Sequence, residues 1–187
     1  MRFTGSFKLT AVIVVIVAAV IAVVVTTAGG GTSPGRTGAR KSAPAKAPGF
    51  SVAALGSSGV SSGKKISLDG RYADKPVIVN FWASWCAPCQ KETPLLARWY
   101  SRHRDVNLVG LDENDSAAAA VKFAKAKGVT YPLGFDPRVK VALSYGVQAG
   151  IPQTFFLNAR HQIVDRVYGA LTTAGLNRGF RLAQQSG

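Results

Sequence analysis

The chain has 187 residues and is strongly basic, with 23 lysines and arginines, nine acidic residues and a formal net charge of +14. Six basic residues and no acidic ones precede residue 50, which leaves a net charge of +8 on the rest of the chain. The basic residues are scattered rather than interleaved with aromatic side chains, which argues against a nucleic-acid-binding surface. An anionic membrane surface, a cell-wall polymer or a plain solvated face remains compatible with this charge.

The first predicted element is a membrane-directing segment. Arg2 and Lys8 precede residues 9–25, which carry no charge. With the next three residues the apolar stretch reaches about 20 residues, enough to span a bilayer. We therefore predict that residues 1–28 form an uncleaved signal-anchor helix and that the rest of the chain is exported. The alternative is a signal peptide that is cleaved after Ala28 and leaves a secreted protein.

The segment that follows is low in complexity. Residues 29–47 are rich in glycine, serine, proline, alanine and lysine, without apolar periodicity, and we predict a disordered linker. Residues 48–187 are long enough to form one domain with its own core.

Strand and helix patterns alternate through this domain until its last third, where two strands follow each other directly. The predicted strands are 77–82, 106–111, 131–135, 154–157 and 162–167, and the predicted helices are 86–104, 116–127, 138–145 and 172–184. The last two strands are expected to form an antiparallel hairpin. This order predicts an α/β fold with a mixed sheet covered by helices on both faces.

The only two cysteines, Cys86 and Cys89, lie three residues apart at the start of the first of these helices. A closed zinc site needs four ligands, and the two histidines, His103 and His161, are too far apart to supply a second pair. We interpret both as ordinary surface histidines and expect no metal and no cofactor. A bridge this short contributes little to stability, so the spacing favours redox chemistry over a structural disulfide.

Several segments together resemble the thioredoxin fold, and in particular its membrane-anchored TlpA/ResA-type branch. The active-site strand and loop are similar to residues 79–89, the cis-proline segment to 150–155, and the N-terminal part of that branch to 48–52, 66–68 and 75–77. The resemblance covers about residues 48 to 184. It implies a hairpin ahead of the core and a dithiol that exchanges with protein disulfides.

Within this motif the two cysteines are expected to have different roles. Cys86 lies at the exposed start of a helix, where free N–H groups and the helix dipole favour the thiolate, so we predict that it is the attacking thiol. Cys89, one turn deeper, would be the resolving thiol. Pro88 would restrain the loop between them, and Trp85 would offer an apolar surface beside the sulfur.

The second half of the motif is the dipeptide Ile151-Pro152. If Pro152 is cis, as the resemblance implies, the backbone of Ile151 lies beside the disulfide and can pair with an extended client peptide. The alternative is a trans proline that simply starts a strand.

Two positions depart from common family patterns. Cytoplasmic thioredoxins carry a buried aspartate where this chain has Asn80, which matches the TlpA/ResA-type branch and should lie beneath the cysteines. That branch often has a glutamate between the cysteines, where this chain has Ala87. Glu92 is then the nearest carboxylate in sequence: it is a candidate for proton transfer, or else a solvated glutamate near a helix start. The acidic residues at 112, 113 and 115 are expected to cap the next helix.

These features predict a thiol–disulfide oxidoreductase whose catalytic domain lies outside the cytoplasm. Because no histidine, lysine or arginine lies between the cysteines to stabilise the thiolate, we expect a reductase of exported proteins, with apocytochrome c among the candidate clients. The resemblance implies a membrane thiol carrier as its electron donor. We expect a monomer. The alternatives are an oxidase or isomerase that acts in the folding of exported proteins and, in another class, a peptide-binding module that retains only the fold.

Overall fold

The structure is a computed structural model that describes residues 44–186. The predicted signal-anchor helix and the predicted linker up to residue 43 lie outside the described residues. Within residues 44–186, no helix is both long enough and apolar enough to cross a membrane.

Seven strands form one mixed sheet in the order β2-β1-β5-β4-β3-β6-β7. Their bounds in chain order are β1 Ser51–Gly56, β2 Gly59–Ser67, β3 Val77–Trp82, β4 Asn107–Glu113, β5 Leu133–Asp136, β6 Gln153–Leu157 and β7 Ile163–Tyr168. The strands β3, β4 and β5 run parallel, whereas β6, β7 and the β1–β2 hairpin add antiparallel pairs. The predicted mixed sheet, its C-terminal hairpin and the additional N-terminal hairpin are thereby confirmed.

Within the described residues, five helices cover the two faces of the sheet. Their bounds are α1 Leu68–Arg71, α2 Ala87–Arg102, α3 Ala117–Ala126, α4 Lys140–Ser144 and α5 Thr173–Gln185. One apolar core contains side chains of α2, α3 and α5, and the other contains side chains of α1 and α4. The predicted helices are present, each with ends within two residues of those expected.

The position of β3 at the centre of the sheet follows from its sequence. All six of its residues are buried, and they alternate between the two faces: Ile78 and Trp82 lie in one core, and Val77, Val79 and Phe81 lie in the other. A β-branched and aromatic run without a solvent-facing side chain is stable only where helices cover both faces.

The described chain begins with four residues, 44–47, that composition assigned to the linker. The Ala47 N–H donates to the His161 carbonyl at 2.7 Å, and the Ile163 N–H donates to the Ala45 carbonyl at 2.8 Å. Lys46 forms an isolated antiparallel bridge with Gln162. The chain is therefore bonded to the turn between β6 and β7 a few residues before residue 48.

The two histidines have different environments. His103 is half-buried and stacks on Trp99 with ring centroids 4.2 Å apart. His161 is only 5% exposed, and its Nε2 lies 2.9 Å from the Tyr72 carbonyl. The prediction of a surface histidine is therefore wrong for His161. Among residues 44–186, no three His, Cys, Asp or Glu side chains are grouped as metal ligands.

Candidate active site

Cys86 and Cys89 form a disulfide at the N-terminus of α2, with their Cα atoms 5.2 Å apart. Cys86 is the N-cap residue of the helix, and its sulfur accepts the Cys89 N–H at 3.2 Å. Pro88 lies in the first turn and is exposed to solvent. A proline is tolerated there because the first N–H groups of a helix have no intrahelical acceptor.

The exposure of the cysteines differs from the prediction. Cys86 is only 3% exposed and Cys89 is fully buried, so the helix start is less open than its sequence position indicates. Trp85, by contrast, is 57% exposed. Its indole N–H donates to the Asn114 carbonyl at 2.9 Å, which fixes an aromatic surface directly ahead of the disulfide.

The loop between β3 and the disulfide is held by the loop that follows β4. Asp115 accepts the Ser84 N–H at 2.7 Å, and its other oxygen accepts the N–H of Ser116, the N-cap residue of α3. Gln90 of α2 donates to the Ser84 carbonyl at 2.8 Å. No local pattern in the sequence indicates these contacts. They arise because β3 and β4 are parallel neighbours whose carboxyl ends lie at the same edge of the sheet.

The Ile151–Pro152 bond is cis, as the resemblance implies, and the trans alternative is wrong. The Ile151 carbonyl oxygen lies 3.5 Å from the Cys86 sulfur. Ile151 is half-buried and Pro152 is buried. The structure therefore brings the Cys86 sulfur to Ile151, which lies 65 residues further along the chain.

A polar brace supports the segment that leads to Pro152. The Gln153 amide donates to the Gly150 carbonyl at 2.7 Å, and its oxygen accepts from the Arg166 guanidinium. Arg166 also donates to the Gly146 carbonyl at 2.9 Å and lies over the Phe155 ring. The Arg166 guanidinium thus holds the segment at Gly146 directly and at Gly150 through the Gln153 side chain. This brace depends on the register of β6 against β7, so sequence spacing alone does not indicate it.

Asn80 and Glu92 lie together in the interior of the domain. Asn80 Nδ2 donates to Glu92 Oε1 at 2.9 Å and also contacts Thr154 Oγ1 at 3.0 Å. Glu92 Oε2 accepts the Leu171 N–H at 2.7 Å. Glu92 is 2% exposed, so the alternative of a solvated glutamate is wrong. Burial raises the pKa of Glu92, and the hydrogen bonds from Leu171 and Asn80 partly oppose that shift.

Three acidic residues lie at the end of β4 and just beyond it, and they have different environments. Only Asp115 contacts the start of α3, whereas Asp112 and Glu113 belong to β4 and are buried, which corrects the prediction for these two. Asp112 lies beside Trp82 in the register, and neither of its carboxyl oxygens has a hydrogen-bond partner. Burial, reinforced by Asp115 and Glu113, raises the pKa of Asp112 to about 8.

The raised pKa of Asp112 predicts a pH-dependent stability. A carboxyl group whose pKa is higher in the folded state stabilises the fold fully below its unfolded pKa, near 4, and that contribution is lost as pH rises towards 8. We expect the difference in free energy of unfolding between Asp112→Asn and the wild type to grow in favour of the variant by about 2 to 4 kcal/mol from pH 5 to pH 9. Urea unfolding at both pH values measures this gain. The exposed Asp105→Asn serves as control, and parallel wild-type and Asp112→Asn profiles would contradict the prediction.

The fold and the site together define a class of protein. A disulfide at the N-terminus of a helix, facing a cis-proline segment at the edge of a mixed sheet, is the arrangement of thioredoxin-like thiol–disulfide oxidoreductases. The chain is an enzyme of this class, because its sequence is similar to those of named thiol-disulfide oxidoreductases.

The chain belongs to the AhpC/TSA family, whose model matches residues 44–166. It is 31% identical to the thiol-disulfide oxidoreductase ResA of Bacillus thuringiensis (strain Al Hakam) over 129 residues, or 68% of this chain and 70% of that protein. It is 40% identical to the thiol:disulfide interchange protein HelX of Rhodobacter capsulatus over 96 residues, or 51% and 53% of the two chains. The crystal structure of a DsbF homologue from Corynebacterium diphtheriae matches with a TM-score of 0.66 and 27% identity, covering 81% of this chain and 96% of that one.

Proposed function

We propose that the protein reduces disulfides of exported proteins outside the cytoplasm, with Cys86 as the attacking thiol and Cys89 as the resolving thiol. The observation that carries this proposal is the position of the Cys86 sulfur, at the N-terminus of α2 and 3.5 Å from the Ile151 carbonyl. A client that pairs with the Ile151 backbone would bring its own disulfide to Cys86 rather than to the deeper Cys89.

The reaction is a pair of exchange steps. The Cys86 thiolate attacks one sulfur of the client disulfide, forms a mixed disulfide and releases the other client sulfur as a thiolate. The Cys89 thiolate then attacks the Cys86 sulfur, which restores the Cys86–Cys89 disulfide and releases the second client thiolate. The client gains two electrons, and an external dithiol donor, for which a membrane thiol carrier is the candidate, must return them to the protein.

Glu92 is the residue we assign to proton transfer in the second step. It follows Cys89 by three residues on α2, so both side chains lie on the same side of the helix. Its pKa is raised by burial, which makes its carboxylate a better proton acceptor for a thiol than a solvated glutamate is. Asn80 holds this carboxylate in place, and Trp85, Ile151 and Pro152 form the surface that a client would contact.

The direction of electron flow is tested by the redox potential. Pairs whose thiolate is strongly stabilised are oxidants near about −120 mV, whereas thioredoxin lies near about −270 mV. Neither Ala87 nor Pro88 carries a donor side chain, so we expect a potential more negative than roughly −200 mV. Equilibration of the protein with glutathione or dithiothreitol buffers measures it, together with an insulin-reduction assay. A potential near −120 mV would transfer the function to the oxidase alternative, and failure to reduce insulin would favour the peptide-binding module.

The location of the domain is tested separately. We propose that residues 1–28 stay attached to the mature protein as a signal-anchor and hold the domain on the extracytoplasmic side. In the native host, the protein should pellet with membranes and retain its own N-terminus on sequencing. A mature N-terminus at Gly29 would instead indicate the secreted form. Apocytochrome c is one candidate client, and clients can be identified by trapping mixed disulfides on a Cys89→Ala variant.

A further inference from the structure

A groove of about 290 Å³ lies between α2 and α5, on the side of the domain where these helices cover the sheet. Its residues are Leu95, Arg98, Trp99, Arg102, His103, Thr173 and Asn177. Trp99 is buried and Leu95 is half-buried, so an apolar floor lies beneath polar and cationic side chains. No carboxylate lines the groove.

The exposed charges that α2 and α5 carry beside the groove have one sign. The exposed charged residues of the two helices are all cationic: Lys91, Arg98 and Arg102 on α2, with Arg178 and Arg181 on α5. The single acidic residue of these helices is Glu92, whose side chain is buried and already hydrogen-bonded. Among the residues that the structure describes, Arg178 pairs with Asp165, whereas Arg98 and Arg102 take part in no ion pair.

The polar groups of the groove are oriented to donate hydrogen bonds. Asn177 Oδ1 accepts the Trp99 indole N–H at 2.8 Å, which leaves the amide NH2 as the free hydrogen-bonding group of that side chain. His103 Nδ1 lies 2.8 Å from the Trp99 carbonyl and donates to it, which fixes the ring that stacks on Trp99. Arg98 and Arg102 are four residues apart and therefore project from the same face of α2.

We propose that this groove binds a phosphate group. The groove offers hydrogen-bond donors from two guanidinium groups, an amide NH2 and the Thr173 hydroxyl. These donors outnumber the two acceptor oxygens of a carboxylate ligand, and arginine matches the geometry of phosphate oxygens. The phosphate can belong to a lipid headgroup or be free in solution. The site is distinct from the disulfide, because Arg98 lies nine residues beyond Cys89, which is about 14 Å along the helix.

The test uses the full chain, labelled with nitrogen-15 in a non-ionic detergent, and titrated at constant ionic strength. Inorganic phosphate should produce saturable NMR shifts at the Asn177 side-chain amide and at the Arg98 Nε. We expect the variant Arg98→Gln/Arg102→Gln to weaken the apparent Kd by at least about tenfold, because it removes two charge-assisted hydrogen bonds. The control Lys64→Gln/Lys65→Gln removes the same charge from the edge strand β2 and should change the Kd by no more than about twofold.

A parallel titration with short-chain phosphatidylglycerol and with glycerol phosphate separates the two sources. Tighter binding of the lipid indicates a headgroup site, and equal binding indicates that the phosphate group alone is recognised; both results support the proposal. Shifts that do not saturate would overturn the proposal, and so would equal weakening in the arginine and lysine variants. Either result would indicate charge screening instead of a binding site. Insulin reduction should be unchanged in Arg98→Gln/Arg102→Gln, so the outcome is independent of the proposed redox function.

Discussion

Replacement of Cys89 by alanine should stop turnover and leave client proteins covalently attached to Cys86. The first exchange step needs only Cys86, but release of the client needs a second thiol. We expect insulin-reductase turnover to fall by about three orders of magnitude or more, since one member of a two-residue unit is lost. In the native host, mixed disulfides should accumulate as high-mass bands on non-reducing gels, and mass spectrometry should locate the bond at Cys86.

The matched control is Cys86→Ala, which should lose both turnover and adducts. Cys89 is fully buried, and in the oxidised protein its N–H donates to the Cys86 sulfur, so it is poorly placed to meet a client first. Adducts that form on Cys89 in the Cys86→Ala variant, at a rate similar to those on Cys86, would reverse the roles we assign.

Replacement of Asn80 by aspartate should destabilise the domain by about 3 kcal/mol or more at neutral pH, because it removes a buried donor and adds a second buried carboxyl group. Asn80 Nδ2 lies 2.9 Å from Glu92 Oε1, so the new carboxylate would face an existing one across a hydrogen-bond distance. Two such groups cannot both be ionised at low cost, and one would be protonated with a raised pKa. The loss should therefore be smaller near pH 4 and grow as pH rises.

Urea unfolding at acid and neutral pH measures this effect. The exposed Gln184→Glu makes the same change from amide to carboxyl and should alter stability by less than about 0.5 kcal/mol. The double variant Asn80→Asp/Glu92→Gln should recover much of the loss, because an amide again faces a carboxylate. If Asn80→Asp has the stability of the wild type at neutral pH, the Asn80–Glu92 contact does not form in solution.

The elements that the sequence predicts well are those with strong local patterns. The predicted bounds of β3 are the observed ones, and α3 begins one residue after the predicted start, directly after the N-cap Ser116, whose hydroxyl accepts the Ala119 N–H. The cysteine motif identified the centre of the site, because reactive thiols at a helix start are a local feature. Local patterns do not report which side chains meet across the sheet.

The features that the sequence analysis missed depend on such long-range contacts. Glu92 is buried because the Leu171 N–H, 79 residues away, reaches its carboxylate. Asp112 follows an apolar run and resembles the start of a loop in the sequence, yet the strand continues through it and Asp112 is buried. The Gln153–Arg166 brace requires one particular register of β6 and β7. None of these can be derived from spacing along the chain.

The contact of Ala45 and Ala47 with the β6–β7 turn determines where the chain enters the domain. β6 runs from the cis-proline end of the sheet to that turn, and its five residues span about 17 Å. Whatever precedes residue 45 therefore joins the domain at the end opposite the disulfide. A client held at the disulfide would therefore lie at the end of the sheet remote from residues 45–47, so a change in those residues should leave client contacts unaltered.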